Sequence, residues 1–306
     1  MILTLTLNPA IDRTVTADRL VFEDRAYILS RGESAGGRGL NASAVLHSFG
    51  VPTLAILTAG GETRGVLEAD LAQMGLPYEL VPIAASVRTN LIITDRRGLT
   101  VKLNEPGPAM TAEEIGRVEE AVCRRLPQAS WLMLCGSLPP GVPPETYSRL
   151  IRAAKRAGVR TLLDTDGEVL QNCLLEGPTA VTPNRQEASA LLNKTLITGQ
   201  HFRTAAQRIL AMGAESVILS LGSRGAIGAR GSELVEAIAP RVDSVCPIGA
   251  GDALNAAFVW AMTRKDDFAE AVRWGVAAGT ASARLPGMQF AGLDQTREIY
   301  ERVQLR

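Results

Sequence analysis

Apolar and polar residues follow one another in regular blocks along the chain, and the blocks predict alternating strands and helices. Residues 2–7 alternate apolar side chains with threonine, a pattern typical of a strand. Residues 131–134 are apolar without interruption, as in strands buried on both faces, and predict a strand at 131–135. Further strands are predicted at 53–57, 78–81, 160–164 and 217–219, and helices at 63–74, 111–125, 144–157, 268–285 and 293–303. This order predicts a three-layer α/β/α fold, with a mostly parallel central sheet between helices.

Two stretches interrupt the α/β pattern. Residues 14–30 mix β-branched residues with charges, which is typical of exposed strands. Residues 91–94 and 100–104 are predicted strands, and the residues between them have the composition of a hairpin turn. We expect one domain over residues 1–306, with lid strands at about 13–30 and 86–104 that shield a site from water.

Composition excludes several classes of protein. Of the 306 residues, 46% are hydrophobic, which is enough for a full core. Basic and acidic residues balance at 32 each, so no net charge attracts nucleic acid or a membrane surface. Four cysteines without C-x-x-C spacing and two histidines argue against a disulfide framework or a zinc site. With no signal segment and no transmembrane run, we expect a soluble cytoplasmic protein whose partners are small molecules.

Polar clusters follow five of the predicted strands. Because ligands of parallel sheets bind beyond the carboxyl ends of the strands, these clusters predict one shared crevice. Asp12, expected in the loop after the first strand, is a candidate for binding sugar hydroxyls, or else a solvated loop carboxylate. The clusters are Asn8 with Asp12, Gly136-Ser137, Asp164-Thr165-Asp166, Thr182-Pro183-Asn184 and Ser220-Leu221-Gly222.

The stretch 246–255 contains a glycine turn that leads directly into a helix. The small residues Gly249, Ala250 and Gly251 allow backbone N–H groups to approach an anion at the positive end of that helix. A carboxylate beside an anion site repels the ligand unless it accepts a proton. Asp252 is therefore predicted to be a general base next to a phosphate. The alternative is that it is an ordinary helix N-cap.

A second glycine-rich loop, residues 36–41, precedes another predicted helix. It resembles the dinucleotide-binding fingerprint but lacks the third glycine, so a nicotinamide-dependent oxidoreductase is the weaker reading. Asn41 could bind a polyol and Arg38 an anionic group, and either could equally be a surface residue.

Two later segments suit a nucleotide and its metal. Asn184 and Glu187 lie one helical turn apart, and two oxygen donors at this spacing suit a hydrated Mg²⁺ ion. A capping pair at a helix start is the alternative. Residues 220–225 end an apolar strand and are rich in glycine, which allows close approach to a nucleotide.

Taken in order, six motifs resemble the PfkB (ribokinase-like) carbohydrate kinase family. Within it they resemble the hexose-phosphate branch of 1-phosphofructokinase, tagatose-6-phosphate kinase and the minor 6-phosphofructokinase. The resemblance covers essentially the whole chain. The motifs are Thr6-Leu7-Asn8-Pro9-Ala10-Ile11-Asp12, residues 36–41, Gly136-Ser137-Leu138-Pro139-Pro140-Gly141, Pro183-Asn184-Arg185-Gln186-Glu187, Ser220-Leu221-Gly222-Ser223-Arg224-Gly225 and Gly249-Ala250-Gly251-Asp252.

The resemblance implies a role for each of these motifs. Asp252 is implied as the base, with Gly249, Ala250 and Gly251 as the anion hole. Asn184 and Glu187 correspond to the N-x-x-E magnesium motif, with Asp164 as a helper. The implied ATP-site residues are Ser220, Gly222, Gly225 and Asn184, and the implied sugar-site residues are Asp12, Gly37, Asn41 and Ser137. The lid is implied to form a homodimer as well.

Phosphate on the acceptor requires cations, and Arg88 matches the position that family members use. Arg25 and Arg38 are further candidates, because guanidinium groups bind phosphate in a bidentate manner. Two positions depart from the family pattern: Arg38 stands where lysine or glycine is usual, and Thr182 replaces a lysine.

The expected function is therefore transfer of the γ-phosphoryl group of Mg·ATP to a ketohexose phosphate. Residues 104–108 resemble the corresponding segment of the 1-phosphofructokinases and the tagatose kinases, and on this resemblance we expect fructose 1-phosphate as the acceptor, which would yield fructose 1,6-bisphosphate. Tagatose 6-phosphate and fructose 6-phosphate remain alternatives as acceptors. A kinase for unphosphorylated sugars is a weaker alternative, and a non-catalytic sugar-phosphate sensor is a remote one.

Overall fold

A computed structural model describes all 306 residues and contains two β-sheets. The strands are β1 (Ile2–Thr6), β2 (Ala10–Ala17), β3 (Ile28–Gly36), β4 (Thr53–Gly60), β5 (Tyr78–Ile83), β6 (Arg88–Asp95), β7 (Thr100–Asn104), β8 (Trp131–Cys135), β9 (Arg160–Asp164), β10 (Ala180–Val181), β11 (Ser216–Ser220), β12 (Ala226–Arg230), β13 (Glu233–Ile238) and β14 (Gln304–Leu305). The helices are α1 (Arg38–Ser48), α2 (Arg64–Met74), α3 (Ala112–Arg125), α4 (Thr146–Arg156), α5 (Gly167–Leu174), α6 (Arg185–Leu191), α7 (Gly199–Ala211), α8 (Ala250–Arg264), α9 (Phe268–Ser282) and α10 (Leu293–Tyr300).

The main sheet has ten strands in the order β14-β13-β12-β11-β10-β9-β8-β1-β4-β5. The strands from β5 to β11 in this order pair in parallel, and β12, β13 and β14 complete one edge with antiparallel pairs. Helices cover both faces, so the predicted three-layer architecture is confirmed. The hairpin of β12 and β13, together with β14, was not predicted.

Alternate residues of the central strands enter two separate hydrophobic cores. In β8, Leu132 and Leu134 belong to the core on one face, and Trp131 and Met133 belong to the core on the other. Because side chains alternate along a strand, a strand buried on both faces must be apolar at every position. This explains the uninterrupted apolar run of residues 131–134.

Helices α8 and α9 pack unusually closely. A Cβ atom at Gly275 would lie 3.0 Å from the carbonyl oxygen of Leu254, and one at Gly279 would lie 2.8 Å from that of Ala250. Since real Cβ atoms do not approach a backbone oxygen this closely, glycine is required at Gly279 for the contact. The small residues of α9 therefore hold the first turn of α8 against its neighbour.

The second sheet has four strands in the order β3-β2-β6-β7. Strands β6 and β7 form the predicted hairpin, and β2 pairs in parallel with β6. Asp12 was expected in a loop, but it lies within β2, opposite Asn90 of β6. The loop prediction was wrong because Asn8-Pro9 makes only a short bend before the chain enters the second sheet.

Candidate active site

The predicted crevice forms at the carboxyl edge of the parallel strands. Asp164 ends β9, Ser220 ends β11, and Ser137 follows β8. Asn184 lies just after β10 and pairs with Ser220 through an isolated parallel bridge. The first turns of α1 and α8 approach the same edge: Arg38 of α1 donates a hydrogen bond to Asp164 at the end of β9, and Asn41 of α1 donates one to Asp252 of α8.

Helix α8 begins without a side-chain cap. Gly249 takes a left-handed conformation with φ of 78° and serves as the N-cap, where it provides no side-chain acceptor. The backbone N–H groups of Gly251 and Asp252 have no hydrogen-bond partner in the protein. Two free donors at the positive end of a 15-residue helix form a binding site for an anion such as phosphate.

Asp252 is buried beside these two free donors. Its side chain accepts a hydrogen bond of 2.6 Å from Nδ2 of Asn41 and does not cap its own helix. Burial and, second, the charge of Asp164 raise the pKa of Asp252 to about 7, although Asn41 and Arg38 act in the opposite direction. A carboxylate with this pKa is suited to accept a proton near neutral pH. The N-cap alternative does not describe Asp252.

Arg38 is the first residue of α1, and its side chain is directed into a group of carboxylates. Its Nη1 atom donates to Oδ1 of Asp164 at 3.0 Å, and Nη2 lies 3.6 Å from both Oδ2 of Asp166 and Oε1 of Glu187. These charges, Asp164 above all, raise the pKa of Arg38. Arg38 is thus already paired with acidic side chains, whereas the sequence suggested a sugar phosphate as its partner.

Asn184 and Glu187 form a reciprocal cap at the start of α6. The Oδ1 atom of Asn184 accepts from the backbone N–H groups of Gln186 and Glu187, at 2.8 and 3.0 Å. The Oε2 atom of Glu187 accepts from the backbone N–H of Asn184 at 2.8 Å. The capping alternative therefore describes what these atoms do here, and their role towards magnesium stays a prediction.

A cavity of about 930 Å³ opens beside the first turn of α8. It is lined by Asn184, Ser220, Gly222 and Gly225, the four residues predicted to bind the nucleotide. The loop 239–244 and one face of α9 form its other walls. A Cβ atom at Gly222 would meet nothing within 4 Å, so the turn after β11 leaves space for a ligand.

A smaller cavity of about 120 Å³ joins the acidic group to Asp252. Gly251, Asn184 and Ser220 line both cavities. Thr182 also lines the smaller one, and its buried hydroxyl has no hydrogen-bond partner. An unpaired buried hydroxyl costs free energy unless a ligand or water bonds to it, so Thr182 fits a site that a ligand completes.

The sugar side of the crevice is built around Asp12. Oδ1 of this buried carboxylate accepts a hydrogen bond of 2.7 Å from Nδ2 of Asn90, and burial raises its pKa. Arg88 is close enough for the two charges to interact. Nη1 of Arg88 donates to the carbonyl of Glu105, but its buried Nε has no partner. A carboxylate beside a partly unpaired guanidinium suits a ligand that carries both hydroxyl groups and a negative charge, because the carboxylate can accept from the hydroxyls and the guanidinium can pair with the charge.

The segment 104–108 closes this side of the crevice. Asn8 donates from Nδ2 to the carbonyl of Pro106 at 3.0 Å and to Oγ of Ser137 at 3.2 Å. A Cβ atom at Gly107 would lie 2.2 Å from Oδ1 of Asn8, so only glycine fits there. Ser137 is therefore held beside the segment that the sequence linked to substrate choice.

Gly37 is the N-cap of α1 with φ of 136°, and a Cβ atom there would lie 2.5 Å from the Thr6 side chain. The loop thus brings α1 close to β1.

Arg25 is different from the other candidates, because it is exposed in the loop between β2 and β3 and contacts no other predicted site residue.

Three residues of the site were missed from the sequence, and a fourth, Asp166, was named only as part of a polar cluster. Asn255 hydrogen-bonds Asp164, and Asn90 bonds Asp12. Asp166 completes the acidic group, and Lys102 of β7 lowers the pKa of both Asp12 and Asp252. Asn255 could have been found, since it lies one turn after Asp252 on the same helical face. Nothing in the spacing marks the other three.

The sequence profile described as "pfkB family carbohydrate kinase" matches residues 5–295. The chain is 33% identical over 302 residues to the ATP-dependent 6-phosphofructokinase isozyme 2 of Escherichia coli (strain K12), covering 98% of this chain and 97% of the relative. It is 34% identical over 274 residues to a 1-phosphofructokinase of Rhodobacter capsulatus, covering 89% and 87% of the two chains.

Solved structures agree with this similarity. Phosphofructokinase-2 from Escherichia coli in complex with substrates and products has a TM-score of 0.92 at 34% identity, and the match covers 98% of each chain. Arabidopsis thaliana ribokinase complexed with ribose and ATP has a TM-score of 0.77 at 20% identity, covering 98% of each chain. The ribokinase-like fold predicted from the motifs is confirmed.

Proposed function

The chain belongs to the pfkB family of carbohydrate kinases and is a phosphotransferase; from this premise we propose that it phosphorylates a hydroxyl of a ketohexose phosphate with ATP. The two relatives named above act, by their names, on fructose phosphates. The proposed acceptor is fructose 1-phosphate, with tagatose 6-phosphate and fructose 6-phosphate as alternatives. The chain's own features that support this activity are the two free amides and the buried carboxylate at the start of α8.

Asp252 is proposed to accept the proton of the attacking hydroxyl. Its pKa of about 7 keeps a substantial fraction ionised at neutral pH while leaving it basic enough to take a proton. The hydrogen bond from Asn41 fixes one carboxylate oxygen, so the other remains for the substrate. Burial next to a cavity limits competition from water.

The free amides of Gly251 and Asp252 are proposed to bind the transferred phosphoryl group. Phosphoryl transfer depends on positioning and on stabilising charge that spreads over the equatorial oxygens. Fixed backbone donors at a helix N-terminus provide such stabilisation without reorganising. The nucleotide would lie in the 930 Å³ cavity, with its phosphates towards these donors and Thr182.

The acceptor would lie between Asp12 and Asp252, with its phosphate on Arg88. The unpaired Nε of Arg88 offers a donor, while its bond to the Glu105 carbonyl fixes the guanidinium plane. Asp12 suits sugar hydroxyls, because a buried carboxylate accepts hydrogen bonds from them. Arg25 is left without a supporting contact.

Magnesium is expected to bind together with ATP. The site suits an ion coordinated by the nucleotide phosphates better than one coordinated by protein side chains. One side-chain oxygen each of Asn184, Glu187 and Asp164 already accepts a hydrogen bond from the protein. As the side chains stand, with Arg38 among the carboxylates, no group of three acidic, cysteine or histidine side chains could hold a metal ion. A hydrated ion bound to the phosphates could still contact these residues through water.

One experiment tests the proposal. ADP release is followed with ATP and each of fructose 1-phosphate, tagatose 6-phosphate and fructose 6-phosphate, and kcat/KM is compared. We expect turnover with all or some of them, with the highest kcat/KM for fructose 1-phosphate. Binding of a phosphosugar without any ADP release would instead support a sensor, and turnover only with unphosphorylated sugars would contradict the acceptor class.

The lid is proposed to pair with the lid of a second copy. Most of the large hydrophobic side chains that are exposed belong to this small sheet and its loop, and Phe22 is 98% exposed. They are Val21, Phe22, Tyr27, Ile28, Leu29, Leu99, Val101 and Leu103. Light scattering should give the mass of a dimer for the native chain and a monomer for Leu103→Lys. A monomeric native chain would contradict the proposal.

No membrane-spanning segment is found among the helices, since none combines the length and the apolar character that crossing a membrane requires.

A further inference from the structure

Arg38 is the one basic side chain that pairs with the acidic group formed by Asp164, Asp166 and Glu187. Its two terminal nitrogens lie 3.0 to 3.6 Å from all three carboxylates. Asp164 is buried and Glu187 is largely so, which means that their charges are poorly screened by water. The guanidinium is therefore the counterion of three negative groups at once.

The position of Arg38 at the start of helix α1 also indicates that the three carboxylates balance its charge. A cation at the first residue of a helix faces the positive end of the helix dipole, which is unfavourable. Helix α1 has no acidic residue of its own in the first turn to compensate. The three carboxylates come from the end of β9, the N-cap of α5 and the first turn of α6, and they supply the compensation through tertiary contacts.

The remaining donor atoms give a divalent ion little to bind. Oδ1 of Asp164 accepts from Arg38, and Asn255 also hydrogen-bonds this carboxylate. Oδ1 of Asn184 and Oε2 of Glu187 accept from backbone N–H groups. The free Oε1 of Glu187 faces Nη2 of Arg38 at 3.6 Å. To bind Oδ1 of Asp164 or Oε1 of Glu187, a divalent ion would therefore have to displace the guanidinium.

We propose that the Arg38 guanidinium is the resident cation of this acidic group, so that the protein holds no divalent ion there before nucleotide binds. The inference rests on the proposed function only in placing ATP beside the group. Arg38 stays with the carboxylates when nucleotide binds, and Mg²⁺ would be held by the nucleotide phosphates. Arg38 is a positioning residue that keeps the carboxylates apart from the metal.

The test uses Mn²⁺ as the probe, titrated into nucleotide-free and sugar-free protein and followed by electron paramagnetic resonance. The proteins are the native chain, Arg38→Met, Arg38→Lys and, as a matched control, Arg149→Met. Arg149 pairs with Glu119 away from the acidic group, and its side chain is 39% exposed compared with 36% for Arg38. All four are checked for folding by circular dichroism.

We expect one Mn²⁺ site per chain in Arg38→Met, with an affinity at least about tenfold higher than in the native chain, because a positive charge beside the carboxylates is removed. Arg38→Lys and Arg149→Met should behave like the native chain. Adding Asp164→Asn to Arg38→Met should abolish the new site.

Tight binding of one Mn²⁺ by the native chain would overturn the proposal, as would Arg38→Met without a new site. If Arg38→Met does not fold, Arg38→Gln keeps a hydrogen-bonding side chain without the charge and should gain the same site. Because Mn²⁺ binding is measured without ATP or sugar, its outcome is independent of whether the chain phosphorylates any phosphosugar.

Discussion

Helices α1 and α8 begin with similar sequences but use their glycines for different purposes. Each has a glycine N-cap, Gly37 or Gly249, and a glycine at the second helical position, Gly39 or Gly251. A Cβ atom at Gly39 would lie 2.6 Å from Oγ1 of Thr6 and 2.7 Å from the carbonyl of Leu5. At Gly251 the same atom would meet nothing within 4 Å.

The difference separates close packing from ligand binding. The glycines before α1 bring a helix against β1, which places Asn41 and Arg38 in the crevice. The open space at Gly251 lies beside two unpaired amides and belongs to both cavities. The empty space at the second helical glycine therefore distinguishes the proposed anion site at α8 from the close packing at α1.

The largest expected effect is at Asp252, which is proposed to act as the base in the chemical step. Asp252→Asn should lower kcat by about 10²–10⁴-fold, because general-base assistance is lost, while KM for ATP and for the phosphosugar changes little. The measurement is steady-state kinetics of ADP release. Near-native turnover would remove Asp252 from the base role.

Stability provides the control for this variant. The folded-state pKa of about 7 is above the unfolded value of 3.8, so the folded protein binds the proton more tightly. The free energy of unfolding therefore falls as pH rises from about 4 through 7. Asparagine avoids this loss, and Asp252→Asn should be at least as stable as the native chain at pH 8.

The next effect is on folding at the first helix. Gly39→Ala should lower the free energy of unfolding by about 1–3 kcal/mol, because the methyl group meets backbone of β1 and α1 must shift. Urea denaturation measures the change. Full stability in this variant would mean that the close approach of α1 to β1 is not required.

Arg88→Ala tests the sugar side of the crevice. Loss of a charge-assisted hydrogen bond to phosphate should raise KM for the phosphosugar by about 10–100-fold and leave KM for ATP unchanged. Arg97→Ala, which removes an exposed arginine from the same lid, is the matched control. An unchanged KM in Arg88→Ala would mean that another basic side chain binds the phosphate.

Gly251→Ala is the counterpart of Gly39→Ala at the second position of α8. The methyl group enters empty space, so stability should stay the same or increase by about 0.5 kcal/mol, as expected for alanine in a helix. Turnover should fall about tenfold, because the group lies where the phosphoryl oxygens approach the amides. Lower stability with native turnover would reverse the assignment of the two glycines.

The smallest effect concerns Asn41, which lies in α1 but acts on α8. Its hydrogen bond favours the ionised form of Asp252, so Asn41→Ala should raise the pKa of that carboxyl. In the pH profile of kcat/KM, the rise on the acid side should therefore shift to higher pH by about half to one unit. A change in KM alone, with the acid-side rise in place, would mean that Asn41 acts only on the sugar.

The sequence was sufficient for most of the architecture, since the period of apolar residues locates the strands of the parallel sheet. Strand β8 was predicted with its observed bounds, residues 131–135, because burial on both faces makes it continuously apolar. The hairpin of β12 and β13 was missed because β12, with the sequence Ala226-Ile227-Gly228-Ala229-Arg230, contains mostly small residues of low strand propensity. Asp12 was misplaced because a two-residue bend was taken for the start of a loop.

The site was predictable where a motif is local. The six motifs identify the family, and the four predicted nucleotide-binding residues line one cavity. Contacts between distant residues were not predictable, such as the bond between Asn41 and Asp252 or the pairing of Arg38 with Asp164, 126 positions apart. Spacing along the chain carries no information about such pairs.

The close fit of α9 against α8 limits which part of the molecule can move. The carbonyl of Ala250 lies where any side chain at Gly279 would have to be, so the first turn of α8 cannot shift without separating two packed helices. The amides proposed to bind the phosphoryl group are consequently held in place. We therefore expect any closing motion to come from the four-stranded sheet, which would carry the sugar towards the nucleotide.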